Sequence, residues 1–407
     1  MERFQGLLGI AVILGLVVLL SKHRRQIKWR TLGVGLALQV LFALLVLKWS
    51  FGFEALKWVA GVVTTIIHFT DEGSKFVFGS LFDTQKVGFV FAIQVLPVII
   101  FLGAVIGALY YLRIIQLVVD VIGTLLQKLL GTSKLEGVWA STVIFLGQSE
   151  APLLVAPYLR TMTTSQLFTC MTGGFAAVAG STLVGYALLG APLPYLLAAA
   201  VMNAPGSLLI AKGLWPETEE VTNDANVRDV KDTESSNIID AMGRGAMSGG
   251  HIAVIVGCLL IAFVALIAMV SAFLGLIGGW VGQDNWSLEG LFGLLFAPVA
   301  WLIGTPWSEA MQIGNFIGQK TVLNEFVAFT NFGPLVQQGG LSPKAVLVGT
   351  FALAGFANFA SIAIQIGAIG SLAPERRGEV AKLGMFALLA GTMTNLLNAA
   401  IVGIVAT

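Results

Sequence analysis

The sequence predicts an all-α polytopic membrane protein, with eight transmembrane helices, interfacial helices and two re-entrant hairpins in an inverted repeat. Three observations predict it. The 407 residues are 57% hydrophobic and only 11% charged, with mean hydropathy +0.88, where a soluble domain carries about a quarter charged residues. Several apolar runs reach or approach the roughly 20 residues that cross a bilayer as helix. Two acids, Glu150 and Glu325, stand in segments that otherwise read as hydrocarbon. There a carboxylate costs about 2.5–3.5 kcal/mol on insertion scales and marks a functional site by default.

Hydropathy sets membrane helices near 4–20, 31–50, 88–112, 164–190, 192–212, 250–280, 343–370 and 379–406. The first run, Leu7 to Leu20, has the length of a signal peptide. It lacks a basic leader and a small-residue cleavage site, and the basic cluster Lys22 to Arg30 follows it, so it reads as a retained helix. Segments 52–70 and 113–130 carry charges at wide spacing and read as interfacial. Segments 134–160 and 300–332 are apolar but broken by Gly, Pro and acids, which fits re-entrant hairpins. Broken backbone at membrane depth is tolerated only when buried in protein or lining a cavity. The one long polar stretch, Trp215 to Arg244, carries Glu217, Glu219, Glu220, Asp224, Asp229, Asp232 and Glu234 and reads as a cytoplasmic linker. Cys170 and Cys258 lie in apolar runs with no Cys or His beside them and read as packing residues.

The Lys/Arg distribution orients the chain. With the N-terminus outside, the segments 21–30, 112–134 with Arg160, 212–249 and 376–382 lie inside and hold sixteen of the 23 basic residues. Four lysines at 48–86 go against the bias. Eight crossings return the C-terminus to the outside, the first hairpin entering from the cytoplasm and the second from the other side. A weak repeat matches this inversion. Leu129-Leu-Gly-Thr132 leads into the first hairpin and Leu302-Ile-Gly-Thr305 into the second. A Gly-Gln pair (147–148, 318–319) and then the acid follow each, and Pro192 and Pro374 mark the break before each unit's last helix. Inverted repeats with interrupted helices and a midplane site are the signature of secondary transporters.

Gln148, Ser149 and Glu150 either cap a half-helix or offer donors and acceptors to the edge of a polar heterocycle. Three polar residues exceed what a cap needs. Glu325, beside Asn324, either pairs with Lys320 or, as an acceptor-only carboxylate, takes two hydroxyl donors such as vicinal sugar hydroxyls. Asn358 and Ser361, three apart in a Gly- and Phe-rich stretch, read either as interhelical contacts or as an unwound segment. Thr392, Thr394, Asn395 and Asn398 read as interhelical contacts. His23, His68 and His251 read as solvated or capping, and Asn285-Trp-Ser287 as a chance match to a glycosylation acceptor. No metal-ligand spacing, nucleophile elbow or Walker loop is present, so catalysis has no candidate site and uphill transport would draw on an ion gradient. A net charge of +1 argues against a nucleic-acid partner.

Five motifs carry a resemblance: GQSEAP at 147–152, AGSTLVGY at 179–186, MNAPGSLLIAKGLWPETE at 202–219, NEFVAF at 324–329 and GFANFASIAI at 355–364. Their order over about residue 88 to the C-terminus resembles the concentrative nucleoside transporter family, in a bacterial member. The resemblance implies a homotrimer in the inner membrane, both termini periplasmic, working as an elevator. It divides the chain into scaffold helices one to three with an interfacial segment (1–112), the first half of a transport domain (113–212), a cytoplasmic linker (213–249), scaffold helix six (250–285) and the second half of the transport domain (286–407). It implies nucleobase contacts by Gln148, Ser149 and Glu150 with Thr182 beside them, ribose contacts by Glu325, Asn358 and Ser361, and Phe356 as an aromatic wall. The implied substrate is a nucleoside, uridine and other pyrimidine nucleosides first, within a lipid membrane and with no cofactor beyond a coupling cation.

One departure from the family pattern bears on that cation. Sodium-coupled members bind the ion through an amide, a hydroxyl and backbone carbonyls. The corresponding positions here are Val143 for the amide, Ala177 for the hydroxyl, and Leu146 and Val178 for carbonyls. Two side-chain oxygens are missing, which points to proton coupling over sodium. Glu150 or Glu325 would carry the proton, since burial favours the neutral carboxylic acid. The alternatives are a symporter of another polar solute on the same plan, a membrane-embedded enzyme, and a passive channel.

Overall fold

The computed structural model describes residues 2–221, 232, 235–280 and 286–406, and every regular element among them is helical. The linker acids Asp224, Asp229 and Glu234 and the acceptor Asn285 lie outside the described residues. The chain opens with α1 (Glu2–Leu20), α2 (Trp29–Leu47), α3 (Ser50–Phe78) and α4 (Leu96–Tyr111). A first unit follows: α5 (Ile114–Leu130), α6 (Lys134–Phe145), α7 (Ala151–Val155), α8 (Thr164–Ala176), α9 (Gly180–Leu188) and α10 (Leu193–Leu214). The long α11 (Ile238–Trp280) leads to a second unit: α12 (Leu288–Leu302), α13 (Trp307–Val322), α14 (Glu325–Gln337), α15 (Pro343–Leu353), α16 (Phe359–Leu372) and α17 (Arg377–Val405). The two units share one order: an amphipathic helix, a helix pair joined at a short break, an interrupted helix and an unbroken one.

Seven helices among the described residues are long and apolar enough to cross a membrane, and an eighth if the bent pair α12–α13 counts as one. Four differences from the expected elements have physical causes. The helix expected at 52–70 continues as α3 to Phe78, its charges relieved by i,i+3 pairs Glu54–Lys57 and Glu72–Lys75. The spans expected at 164–190 and 343–370 are each two helices, because Ala177 and Ala179 in one, and Ala354 and Asn358 in the other, leave helical backbone. The second hairpin, expected at 300–332, runs from Trp307 to Gln337, and α12 before it is a separate helix bent 116° from α13. The 43-residue α11 begins twelve residues before the expected 250, its first turn held by Asn237 Oδ1 accepting from Ile239 and Asp240 N–H.

The four-residue repeat anchors are helix stops. Gly131 (φ +70°) follows α5 and Gly304 (φ +102°) closes α12, each in the left-handed region that ends helices without a Cβ penalty. Starts are equally explicit. Ser133 and Glu136 form a capping box on α6, as do Thr163 and Gln166 on α8. In the second unit Ser342 caps α15 and is itself held by Glu309 at 2.6 Å. Along α4 and α11, Gly103 and Gly107 face Gly245 and Gly249, where an added Cβ would strike the opposite backbone at 2.3–2.5 Å. This small-residue packing lets two membrane helices run in backbone contact.

The interruptions of the two units cross at the centre of the molecule. Phe356 N–H, in the break between α15 and α16, donates to Ala177 O in the break between α8 and α9 at 3.1 Å. Asn395 of α17 donates through Nδ2 to Ala176 O (2.9 Å), Ala354 O (3.1 Å) and Asn203 Oδ1 (3.0 Å). Asn203 of α10 donates to Ala354 O at 3.0 Å and also accepts from Asn398 at 2.7 Å. Lys320 of α13, buried, donates to Ala352 O (2.8 Å) and Asn395 Oδ1 (2.6 Å). Asn395 and Asn398 are thus the interhelical contacts expected of the last helix. Thr392 and Thr394 instead bond carbonyls of their own helix.

Replacing Asn395 by Leu should lower stability by about 2–4 kcal/mol, from several interhelical bonds at about 0.6 kcal/mol each plus the partner lost by Lys320. Thr392→Ala should stay within about 0.5 kcal/mol. Denaturation in detergent checks both; equal effects would mean that the crossing is not held by Asn395.

Candidate substrate site

Each unit delivers one helix-pair tip to this crossing. In the first, α6 ends at Phe145 and the chain turns through Leu146–Glu150, closed by Gly147 O accepting from Glu150 N (3.1 Å) and Ala151 N (2.9 Å). Pro152 then starts α7 where its missing N–H costs nothing. Gln148 is buried, with Nε2 donating to Ser361 Oγ at 2.8 Å and Oε1 accepting from Gln365 Nε2 at 3.0 Å. Glu150, half-buried, accepts from Gly147 N–H at 3.3 Å. Ser149 is exposed at the tip.

The second tip is Leu323–Asn324. Asn324 Oδ1 accepts from Val327 N–H at 2.9 Å and so caps α14. The Glu325 carboxylate, buried, accepts from the Tyr186 hydroxyl at 3.1 Å on one oxygen and from Asn358 Nδ2 at 2.8 Å on the other. Asn358 Oδ1 in turn caps α16 by accepting from Ser361 N–H at 2.8 Å. Tyr186 is fixed by stacking on Phe329, centroids 4.5 Å apart, and by an edge contact with Phe326 at 4.7 Å.

One continuous run of hydrogen bonds therefore joins the tips: Gln365, Gln148, Ser361, Asn358, Glu325, Tyr186. Of the residues expected in a site, Gln148, Ser361, Asn358 and Glu325 are linked directly. Glu150 lies beside Gln148 at the same tip. Phe356 and Thr182 are buried at the two helix interruptions, and the Thr182 hydroxyl bonds Ala179 O at 2.9 Å. Lys320 does not pair with Glu325, since its ammonium is taken by Ala352 O and Asn395. The sequence does not mark Tyr186 or Gln365 as candidate site residues. Tyr186 closes the AGSTLVGY motif, and Gln365 falls four residues after Ser361 on the same helix face, so both signals were present but no chemistry separated them from core.

The four candidate cation positions are buried together: Val143 and Leu146 of the first tip, Ala177 and Val178 of the α8–α9 break. An added Cβ at Gly147 would sit 3.2 Å from that of Ala179, so the two stretches touch. Val143 and Ala177 offer no side-chain oxygen, and Ala177 O already accepts from Phe356 N–H. Among the described residues no group of three His, Cys, Asp or Glu could hold a metal ion.

Two units of interrupted helices meeting at a buried polar run define a membrane transporter, and the comparisons with known proteins specify which kind. Family models match nearly end to end: Na+ dependent nucleoside transporter N-terminus over residues 8–81, Nucleoside recognition over 92–193, and Na+ dependent nucleoside transporter C-terminus over 195–403. The chain is 50% identical to the transporter YutK of Bacillus subtilis over 99% of both chains. It is 42% identical to the putative nucleoside permease NupX of Escherichia coli over 99% of both, and 40% to the nucleoside permease NupC of Helicobacter pylori over 98% of this chain and 97% of that one. Among solved structures, CNTnw in an inward-facing substrate-bound state superposes with TM-score 0.95 at 45% identity, covering 100% of this chain and 98% of that one. A doubly substituted CNTnw in an outward-facing state gives 0.96 at 45% identity, covering 100% and 99%. The chain belongs to the Na+ dependent nucleoside transporter family and is a multi-pass membrane transporter, not an enzyme. The likeness seen from about residue 88 onward extends to the N-terminal helices as well.

Tyr186→Phe should raise the KM for nucleoside uptake about three- to tenfold, the worth of one hydrogen bond to a charged or neutral acceptor. Glu325→Gln, which removes the acceptor itself, should cost more than tenfold in kcat/KM. Initial rates of uptake measure both; a Tyr186→Phe loss as large as that of Glu325→Gln would mean that the carboxylate does not meet the substrate.

Proposed function

We propose that this protein is a secondary active nucleoside:cation symporter that imports uridine and other pyrimidine nucleosides across a bacterial inner membrane. The observation that carries the reading is the hydrogen-bonded run between the two tips. Amide and carboxylate groups (Gln148, Glu150) lie at one end, and a carboxylate with an amide and a hydroxyl (Glu325, Asn358, Ser361) at the other. The first set suits the edge of a nucleobase, with Ser149 and Thr182 beside it and Phe356 as an apolar wall. The second suits ribose hydroxyls, because each oxygen of Glu325 accepts a single hydrogen bond and keeps capacity for another. Working as an elevator in a homotrimer, with the two repeated units moving against a scaffold that includes α4 and α11 and with both termini periplasmic, is part of this proposal. The glycine-lined contact of α4 with α11 supports it as a rigid frame.

Proton coupling is the form of the symport we infer, because Val143 and Ala177 remove two side-chain oxygens from the cation positions. Glu150 or Glu325 would carry the proton. Sodium coupling is the second reading, favoured by the family description, and would rest on the main-chain oxygens of Leu146 and Val178 with water.

Uptake of labelled uridine into proteoliposomes separates these readings. Accumulation under a proton gradient is expected, with little under sodium alone. Sodium-driven accumulation would keep the substrate and overturn proton coupling, and failure of both gradients with folded protein would turn the assignment to another polar solute. Converting Glu150 and Glu325 to Gln should abolish proton-driven accumulation; a double variant still equally dependent on the pH gradient would rule both acids out as carriers.

A further inference from the structure

Gln365 is a buried amide, 1% exposed, that the proposed substrate contacts leave unused. It extends from α16 one turn beyond Ser361. Its Nε2 donates to Met171 O at 3.1 Å and to Gln148 Oε1 at 3.0 Å, and its own Oε1 is buried without a partner. An amide NH2 has two hydrogens, and these two acceptors use both.

The orientation of this amide is dictated rather than chosen. Met171 O is a main-chain carbonyl, which can only accept, so the Gln365 atom facing it has to be nitrogen. Turning the amide over would set two oxygens against each other in a buried site. With the Gln365 NH2 so fixed, the Gln148 atom that faces it has to be oxygen. The NH2 of Gln148 is therefore turned the other way, toward Ser361 Oγ at 2.8 Å and the run of site residues. One of its hydrogens goes to Ser361, which leaves the second for another acceptor.

We propose that Gln365 is a positioning residue that locks the Gln148 amide, so that Gln148 meets the substrate as a hydrogen-bond donor. This rests on the reading above that the nucleobase lies at Gln148. The site then selects a heterocycle that offers an acceptor, a carbonyl oxygen or an unprotonated ring nitrogen, next to an N–H that the Glu150 carboxylate can take. Without Gln365 the Gln148 amide turns freely, presents oxygen or nitrogen alike, and loses that selection. A site that demands one hydrogen-bond sense discriminates because the wrong partner leaves a buried polar group unpaired.

The test is a ratio within each protein. Inhibition of labelled uridine uptake is measured for uridine, 2-thiouridine and 4-thiouridine, whose sulfurs are weak acceptors, and for 3′-deoxyuridine as a ribose control. Wild type, Gln365→Met and Gln365→Leu are compared, and a variant with little uptake is read by the same ratios from binding in detergent. In the unsubstituted protein one thio-analogue should bind about three- to tenfold more weakly than uridine, the worth of one hydrogen bond. In the variants that ratio should fall toward one while the 3′-deoxyuridine ratio holds. If every analogue weakens by the same factor and the thio ratio stays, Gln365 is a packing residue and the proposal is wrong. If the unsubstituted protein ignores both thio-substitutions yet discriminates 3′-deoxyuridine, the base does not lie at Gln148, and the placement fails together with this inference. No competition by uridine at all overturns the substrate class itself.

Discussion

Everything at the centre of this protein depends on how two interrupted helices satisfy their backbone inside a membrane. An open N–H or C=O in hydrocarbon costs several kcal/mol, so a helix breaks there only if something else takes its bonds. Here the carbonyls that end α8 and α15 are taken by side chains of the unbroken helices. Asn395 reaches Ala176 O of the other unit, Asn203 reaches Ala354 O, and the two asparagines bond each other. Each unit's last helix thus closes the other unit's break. Lys320 adds a hydrogen-bond donor at Ala352 O. Neither break could stand alone, which makes the crossing a joint property of both repeats.

The breaks also place candidate binding residues at helix starts. Four elements are interrupted where the two units meet, and α7, α9, α14 and α16 begin at those breaks. Glu150, Asn324 and Asn358 occupy N-cap positions of three of them. Asn358 serves both ends at once, closing α16 through Oδ1 and reaching Glu325 through Nδ2. Glu150, by contrast, stands at the N-cap of α7 without a side-chain capping bond, so its carboxylate is not committed to that helix. A group oriented by the helix it caps is a group already aimed, and N-terminal dipoles favour the carboxylates that gather there.

That much of the site was legible follows from cost. Glu150 and Glu325 stood out because hydrocarbon makes acids expensive, and GFANF because glycine and asparagine weaken a helix. The interruption at Ala177–Ala179 was invisible, since alanine and valine carry no breaking signal and the break exists only because Phe356 and Asn395 reach across from the other unit. Tyr186 and Gln365 were hidden for a similar reason. Their chemistry is a matter of which partner lies 139 or 217 residues away, and no local pattern encodes that. The amphipathic α12 was missed because its apolar run merged with the hairpin, and only Gly304 in the left-handed region separates them.

The same hydrogen-bonded run constrains how tightly a substrate could bind. The amide of Gln148 is answered by Ser361, and the carboxylate of Glu325 by Asn358 and Tyr186, so these buried polar groups have partners within the protein. Under the proposed placement, a nucleoside would take the spare capacity of these groups and exchange some of their bonds for its own. Each exchange is worth the difference between two hydrogen bonds, far less than the full cost of an unmade one. Under that placement, affinity is thereby moderated. A carrier must release its cargo, and polar groups that already answer one another keep the strength of binding within what release allows.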